Sequence, residues 1–349
     1  MPHYNLAFLG FGNVGQALAR LLLNKEEELR ARYGLSFTVT GIATGSHGAV
    51  INRNGIDIDD ALSWIGAGKA EDRPVSLHAF SGSEPAPVDS LDFIRRCGAD
   101  VLFENTPVNY HTGQPAVDHL REALEHGMHA ITANKGPVVH AYSELIALAE
   151  EKGLSFFFES AVMDGAPVFS MFRDALPAAN LTSFRGVLNS TTNLILTRME
   201  AGESFDRAVA YAQSIGIPET DPSGDIDGWD AAVKVAALVT VLMGFPLKPD
   251  QVDRQGIRGI TLEDIAEARA QGARWKLVCS ANRLVDGISA RVAPEMIPAS
   301  SALYQVSGTT SIVEFRTDVL GQLSLIEEDP GPSTTAYGLL ADFINAVKI

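Results

Sequence analysis

The stretch YNLAFLGFGNVGQALARLLL, residues 4–23, decides the fold of the N-terminal part of the chain. It opens with a short apolar run, which predicts a buried β-strand. Glycines follow at Gly10, Gly12 and Gly15, and an amphipathic helix begins directly after them. The segment FTVTGIAT, residues 37–44, predicts the next strand. A strand, a glycine-rich turn, a helix and a second strand in this order predict a Rossmann-type dinucleotide-binding fold.

The three glycines form a GxGxxG motif, which permits a tight turn, a close approach of backbone to a pyrophosphate and tight helix packing. The alternative is an ordinary glycine-rich turn, and the setting between strand and helix favours the cofactor. The second strand ends at Thr44 rather than at the carboxylate typical of NAD sites, which favours NADP or use of both cofactors. Arg53 or His47 could then meet a 2′-phosphate. The motif predicts cofactor-binding residues Gly10, Gly12, Asn13, Val14 and Gly15.

Short apolar strands continue to alternate with helices as far as residue 160, which is typical of a parallel sheet. From about residue 161 the strands become longer and look antiparallel. The sequence therefore predicts an α/β protein, with a Rossmann-type parallel-sheet domain over residues 1–160. A second, α+β domain with a largely antiparallel or mixed sheet is predicted over residues 161–330, and a final helix over 333–347.

Composition restricts the partners and the environment. The chain has 349 residues, 46% of them hydrophobic, and a formal net charge of −16. Such an acidic protein would repel a phosphate backbone, so we expect no nucleic-acid partner. Cys97 and Cys279 have no metal or disulfide spacing, which fits a reducing compartment. No segment is long and apolar enough to predict a membrane span or a secretory signal, so we expect a cytoplasmic protein.

Polar residues follow two strands of the predicted parallel sheet. Asn105, Thr106 and Pro107 end one strand, and the segment 132–135 (TANK) ends the next. Ligands of open α/β sheets bind outside the carboxyl ends of the strands. Lys135 precedes a Gly-Pro turn, so its ammonium group can face that crevice, although a solvated loop lysine is the alternative.

The stretch IPETDPSGDIDGWDAAVKV, residues 217–235, concentrates five carboxylates before one lysine. The spacing excludes an EF-hand calcium loop. With Gly228 at loop position 6, Lys234 would fall at position 12, where the loop needs a glutamate. Asp227 suits an N-cap, and a solvated acidic face would also be ordinary. Neither explains Lys234, which shares an apolar helix face with Asp230 at i−4. A lysine facing inward is costly unless it is paired, so the pair predicts either a proton donor at a cleft wall or a structural ion pair.

The segment FFESAVMDGAP, residues 157–167, takes a strand into a turn of small residues. Glu159 and the exposed carbonyls of such a turn could hold a hard cation through oxygen ligands. A plain loop that crosses between domains is the alternative, and spacing alone favours it.

These pieces together resemble homoserine dehydrogenases along nearly the whole chain. The matching segments, in family order, are GFGNVG, TANK followed by glycine, FFESAVMDGAPV, GVLNSTTNLILTRM, AQSIGIPETDPSGDIDGWDAAVK and GPSTTAYGLLADFI. The third and fifth of these segments are far more specific than the glycine motif.

The resemblance implies NAD(P)H-dependent reduction of L-aspartate 4-semialdehyde to L-homoserine, on the route to threonine and methionine. It implies that Lys234 is the proton donor, that Lys135 lies near both nicotinamide and substrate, and that Glu219 and Asp230 bind the substrate. Thr106 and Gly331 are expected at the cofactor, with the segment 331–349 returning to the dinucleotide-binding domain. A homodimer formed through the sheet of the second domain is also implied. The implied sodium ligands are Glu159 and the carbonyls of Val162, Asp164 and Ala166.

The chain departs from the family pattern in three respects. Val233 stands where many members carry arginine, and the turn AVMDGAP differs from the commoner glycine-rich version. The length leaves no room for a C-terminal regulatory domain. Two other functions remain open at this stage: a reductase of another amino-acid aldehyde or 2-oxo acid, and a non-catalytic dinucleotide-binding sensor.

Overall fold

The computed structural model describes residues 1–70, 75–81, 84–217 and 221–348. The chain forms two compact units. The first consists of Met1–Gly165 and the segment from Gly331 onward, and the second consists of Ala166–Pro330.

The first unit is built on a six-stranded sheet in the order β3-β2-β1-β4-β5-β6, parallel except for the β2–β3 hairpin. Because β1 lies between β2 and β4, a crevice opens beyond the carboxyl ends of β1 and β4, where ligands of such sheets bind. The strands are β1 His3–Leu9, β2 Ser36–Thr44, β3 Gly48–Ile51, β4 Val101–Glu104, β5 His129–Thr132 and β6 Phe156–Phe157. The helices are α1 Asn13–Tyr33, α2 Ile58–Ala70, α3 Ser90–Arg96, α4 Ala116–Glu125, α5 Lys135–His140 and α6 Tyr142–Lys152.

The second unit contains a six-stranded mixed sheet in the order β12-β11-β7-β9-β10-β8. Its strands pair antiparallel except β10 with β8. The strands are β7 Leu181–Val187, β8 Asp253–Arg254, β9 Ala273–Leu284, β10 Gly287–Pro298, β11 Ser311–Thr317 and β12 Gly321–Glu327. The helices are α7 Val168–Ser170, α8 Ser190–Glu200, α9 Phe205–Ser214, α10 Ser223–Ile226, α11 Trp229–Leu242, α12 Leu262–Ala270 and α13 Ala302–Gln305. Together the two sheets confirm the predicted fold class.

Helix α14 (Pro332–Val347) packs against α1 in the first unit. Its Phe343 is fully buried and meets the rings of Tyr4 and Phe103 edge-on, at centroid distances of 6.1 and 6.2 Å. The final helix, predicted from periodicity over 333–347, therefore completes the hydrophobic core beneath β1 and β4.

Several elements differ from the sequence prediction. The last strand before residue 160, β6, is only two residues long, because the chain enters a 3₁₀ turn at Glu159. Strand β3 and helices α3 and α12 were not predicted, since their segments are short and carry weak periodicity. No helix within the described ranges is long and apolar enough to span a bilayer.

A charged side chain lies in the interior of the second unit. Lys276 of β9 is fully buried, and its Nζ donates hydrogen bonds to Asn193 Oδ1 at 2.7 Å and to the Val306 carbonyl at 2.6 Å. Burial, and secondarily the charge of Arg274, lowers the pKa of Lys276 to about 7, while Glu200 opposes the shift. Lys276 thus joins α8 to the segment that precedes β11 at the cost of desolvating an ammonium group.

Lys276 should make the protein less stable at neutral pH than at alkaline pH. The pKa of an unfolded lysine, about 10.4, lies above that of Lys276, so between the two values the unfolded chain binds the extra proton. The free energy of unfolding should therefore rise with pH in this window, by on the order of 1.4 kcal/mol per pH unit, and stay flat below it. Urea unfolding of Lys276→Met should lack this rise.

The exposed Lys152 of α6 provides the control, and Lys152→Met should keep the pH dependence of the wild type. If the free energies of unfolding of wild type and Lys276→Met differ by the same amount at pH 7 and at pH 9, Lys276 ionises as an ordinary lysine. The argument from burial then fails.

Candidate active-site residues

The glycine-rich turn of the first unit has the geometry of a pyrophosphate cradle. Gly10 has φ +96°, and a Cβ there would lie 2.3 Å from the Asn105 carbonyl, so only glycine lets the β1 turn approach β4. A Cβ at Gly15 would meet the Gly10 carbonyl at 2.5 Å, whereas one at Gly12 would meet nothing within 4 Å. The first-turn amides of α1, at Asn13 and beyond, have no intrahelical acceptor and can bind an anion. The turn therefore fits a dinucleotide.

The β2–β3 hairpin places the two candidates for a 2′-phosphate at different positions along β2. His47 lies at the hairpin tip, beside the carboxyl end of β2. Its ring nitrogen Nδ1 is within hydrogen-bond distance of Ser46 Oγ, at 2.8 Å. Arg53 follows β3, which runs back antiparallel to β2, and its Nη2 donates to the Arg96 carbonyl at 3.0 Å. Arg53 thus lies beside the middle of β2, away from its carboxyl end, and its contact with a 2′-phosphate stays a prediction. His47 remains a candidate.

Thr106 and the TANK turn are joined by the side chain of Asn134. Asn134 Nδ2 donates to the Thr106 carbonyl at 3.1 Å, and Asn134 Oδ1 caps α5 by accepting from Gly136 N at 2.9 Å. Lys135 is the first residue of α5. Both predicted residues thus lie on connected loops beyond the carboxyl ends of β4 and β5.

The turn that begins at Glu159 packs against α14. Glu159 is buried, with 3% of its surface exposed, and its N–H donates to Asp342 Oδ2 at 2.7 Å. Asp164 has φ +38°, and its carboxylate accepts from Thr334 Oγ1 at 3.1 Å. Gly331 precedes the first turn of α14.

The predicted sodium ligands are therefore distributed over a tight turn. Val162 is buried in that turn, and Ala166 is the first residue of the second unit. Within the described part of the chain, no group of three or more His, Cys, Asp or Glu side chains could hold a metal ion. A cation here would depend on the single carboxylate of Glu159 and on backbone carbonyls.

The second unit holds the ion pair predicted on α11. Lys234 Nζ lies 3.4 Å from Asp230 Oδ2, and the two side chains are only 14% and 10% exposed. Lys234 Nζ also donates to the Leu188 carbonyl at 2.6 Å, just after β7. A largely buried ammonium is thus held between a carboxylate and the carboxyl end of a strand.

The prediction that Asp227 caps this helix is wrong. The N-cap of α11 is Gly228, with φ +79° and no side-chain cap. Asp227 instead ends α10, and its carboxylate pairs with Arg258 while its carbonyl accepts from Arg254. The left-handed conformation at residue 228 turns the chain between the two helices, which leaves Asp227 directed away from the first turn of α11.

Asn189 and Asp225 complete the cluster, and sequence reasoning did not find their roles. Asn189 caps α8 through Thr192 N at 2.8 Å, and its Nδ2 donates to Asp225 Oδ1 at 2.6 Å and to Asp230 Oδ2 at 3.0 Å. Thr191 Oγ1 donates to Asp225 Oδ2 at 3.1 Å. Burial, and then the charge of Asp230, raises the pKa of Asp225. Asn189 follows a strand, as Asn105 and Asn134 do, and this signal could have identified it.

One predicted substrate residue cannot be located. Glu219 lies outside the described residues.

Comparisons with known proteins agree over the whole chain. The family model "Homoserine dehydrogenase, NAD binding domain" matches residues 10–159, and the model "Homoserine dehydrogenase" matches residues 167–344. The chain is 37% identical to the NAD(+)-dependent homoserine dehydrogenase of Pseudomonas canavaninivorans, covering 99% of this chain and 96% of that one. It is 35% identical to the homoserine dehydrogenase of Methanocaldococcus jannaschii, covering 98% of each.

A solved structure agrees with these matches. The hyperthermophilic archaeal homoserine dehydrogenase in complex with NADPH superposes with a TM-score of 0.81 at 29% identity, over 99% of this chain and 98% of that one. With both units matched by family models and relatives covered almost end to end, the chain belongs to the homoserine dehydrogenase family.

Proposed function

We propose that the chain is an NAD(P)-dependent homoserine dehydrogenase, which reduces L-aspartate 4-semialdehyde to L-homoserine and catalyses the reverse reaction. The observation that carries the proposal is the buried Lys234–Asp230 pair, in a chain that also has a dinucleotide-binding turn. An ammonium group held at a fixed place in a largely buried setting can give a proton to an oxygen that becomes negative during reduction.

Lys234 is the proposed general acid. Its ammonium group has three N–H donors, of which one is directed to the Leu188 carbonyl and another faces Asp230. The third is available for the carbonyl oxygen of the substrate. Hydride addition to the aldehyde carbon places the electron pair of the C=O bond on that oxygen, and transfer of the Lys234 proton completes the alcohol.

The carboxylates around Lys234 favour a substrate with an ammonium group. Asp225 and Asp230 together carry one more negative charge than Lys234 balances when both are ionised. An amino-acid ammonium group would supply the missing positive charge. We assign substrate binding to Asp230 and, as the family resemblance implies, to Glu219.

In the first unit, the glycine turn with Asn13 and Val14 would hold the pyrophosphate, and Thr106, Lys135 and Gly331 would border the rest of the cofactor. The nicotinamide, when bound, supplies the hydride. The chain's own task in this unit is to fix the cofactor's position, since misplacement of reacting atoms by about 1 Å can cost about a hundredfold in rate.

We also propose a sodium ion at Glu159 and the carbonyls of Val162, Asp164 and Ala166. The buried carboxylate of Glu159 and the left-handed backbone at Asp164 support a turn that presents oxygen ligands. The ion would stabilise this turn without joining the reaction. A melting temperature that is the same in sodium chloride and in choline chloride at equal ionic strength would contradict this site.

A homodimer through the sheet of the second unit is proposed as well. One region of this sheet presents polar side chains, among them Arg185, Ser280 and Glu314, which the register aligns across β9, β7 and β11. Such a surface suits a hydrated interface between two copies. Light scattering that gives 37.3 kDa, the mass of one chain, would exclude it.

Replacing the proposed acid tests the mechanism. Lys234→Arg keeps a cation and its hydrogen-bond donors, but a guanidinium does not release a proton at neutral pH. We expect kcat for aspartate semialdehyde reduction to fall by about a hundredfold or more, with little change in cofactor affinity. Lys152→Arg on the exposed face of α6 is the matched control and should behave as the wild type. Near-normal kcat in Lys234→Arg would exclude this lysine as the acid and favour Lys135.

Cofactor preference should depend on the end of β2. Thr44 Oγ1 accepts from His47 N there, and the last position of β2 is a threonine rather than a carboxylate that would repel a 2′-phosphate. We therefore expect NADPH to be used at least as well as NADH. Thr44→Asp should preserve the turn, since Asp accepts the same hydrogen bond, yet lower kcat/KM for NADPH by about tenfold or more through charge repulsion.

Thr44→Asn has the same shape without the charge and serves as the control. Steady-state kinetics with each cofactor decides the question. If Thr44→Asp leaves the ratio of kcat/KM for NADPH and NADH unchanged, the β2 end does not select the cofactor.

A further inference from the structure

Glu104 is a fully buried carboxylate at the carboxyl end of β4. Burial of an ionised carboxylate costs several kcal/mol or more unless hydrogen bonds and charges compensate it. A hydrophobic residue at the end of β4 would fill the core in the same way that Val101, Leu102 and Phe103 do. The glutamate therefore has a role other than filling the core.

The loop after β4 and the last residue of β5 both donate hydrogen bonds to this carboxylate. Glu104 Oε1 accepts from Thr106 N at 3.1 Å and from Thr106 Oγ1, which fixes the loop after β4. Thr132 is the last residue of β5, and its Oγ1 lies 2.9 Å from Glu104 Oε2 and 2.8 Å from the Glu104 carbonyl, so the two acceptors share its one proton. The carboxylate thus connects the ends of two neighbouring strands.

The hydroxyl of Thr132 carries the connection onward to Lys135. It accepts from Asn134 N at 2.9 Å, and Asn134 in turn caps α5 and donates to the Thr106 carbonyl. The bonds form a closed ring that runs from Glu104 through Thr132 and Asn134 to Thr106 and back. Lys135 is the residue that follows Asn134, so its backbone position is set by this ring.

A histidine faces the carboxylate from α4. His119 Nδ1 lies 3.7 Å from Glu104 Oε1, and His119 is 3% exposed. Its other nitrogen, Nε2, is 2.8 Å from Ser90 Oγ. Within the described residues, His119 Nδ1 has no hydrogen-bond partner. A proton on Nδ1 would therefore face the carboxylate.

We propose that Glu104 is a positioning residue, which holds Thr106 and the turn bearing Lys135 in the single arrangement that receives the nicotinamide end of the cofactor. The inference rests on the proposed function for the roles of Thr106 and Lys135. The ring of hydrogen bonds itself depends on no ligand. Its loss should release two loops at once, because each is tied to the same carboxylate.

Thr132→Val tests the ring, because valine keeps the shape of threonine and removes the hydroxyl that joins Glu104 to Asn134. We expect the dissociation constant for NADPH, measured by fluorescence without substrate, to rise by about tenfold or more, since a buried N–H and a carboxylate oxygen lose their partner. Thr132→Ser restores the hydroxyl and should return the dissociation constant to within about threefold of the wild type.

Thr40→Val is the matched control. Thr40 is a buried threonine of β2 whose Oγ1 approaches the Leu6 carbonyl at 3.5 Å, in the same unit and away from the ring. The Thr40→Val variant should have a lower melting temperature than the wild type but the same affinity for NADPH. If Thr132→Val also lowers only the melting temperature, the role of the ring is merely structural and the proposal is overturned.

Glu104→Gln is the second variant, for the case in which Thr132→Val does not fold. The amide keeps the volume but can no longer accept from both Thr106 and Thr132, so NADPH affinity should again fall. Wild-type affinity in a folded Glu104→Gln protein would overturn the proposal. Because binding is measured without substrate, failure of the wild type to oxidise homoserine would count against the proposed function alone.

Discussion

The candidate site depends on one constraint, which is that a helix starting at the end of a strand must find acceptors for its first amides. In this chain asparagine side chains meet that need twice. Asn134 caps α5 after β5, and Asn189 caps α8 after β7, each through Oδ1. The Nδ2 group of each remains free to donate elsewhere. One residue thereby begins a helix and binds another part of the site.

The two asparagines use that second group differently. Asn134 donates to a backbone carbonyl, at Thr106, and so joins two loops. Asn189 donates to two carboxylates, Asp225 and Asp230, and so holds negative charges near each other. An amide is suited to this because it adds donors without adding charge, and the positive charge of the cluster is then left to Lys234 alone.

The sequence predicted the features that depend on local spacing. The glycine turn after β1 and the Lys234–Asp230 pair on one helix face follow from local spacing, and the structure contains both. Partners distant in sequence could not be predicted in this way. Asn189 lies 41 positions before Asp230, and Glu104 lies 28 positions before Thr132. The error at Asp227 had a local cause, because the backbone at Gly228 turned the acid toward Arg258 instead.

The choice of lysine as the proposed acid agrees with the charges around it. A neutral donor such as tyrosine would leave Asp225 and Asp230 uncompensated in a buried cluster, which is strongly unfavourable. An arginine would compensate them but would not release its proton. Lysine satisfies both requirements, and when it gives up its proton the cluster becomes more negative. A bound ammonium group would offset that change, so the same carboxylates that hold Lys234 in the free protein would favour an amino-acid substrate at the moment of proton transfer.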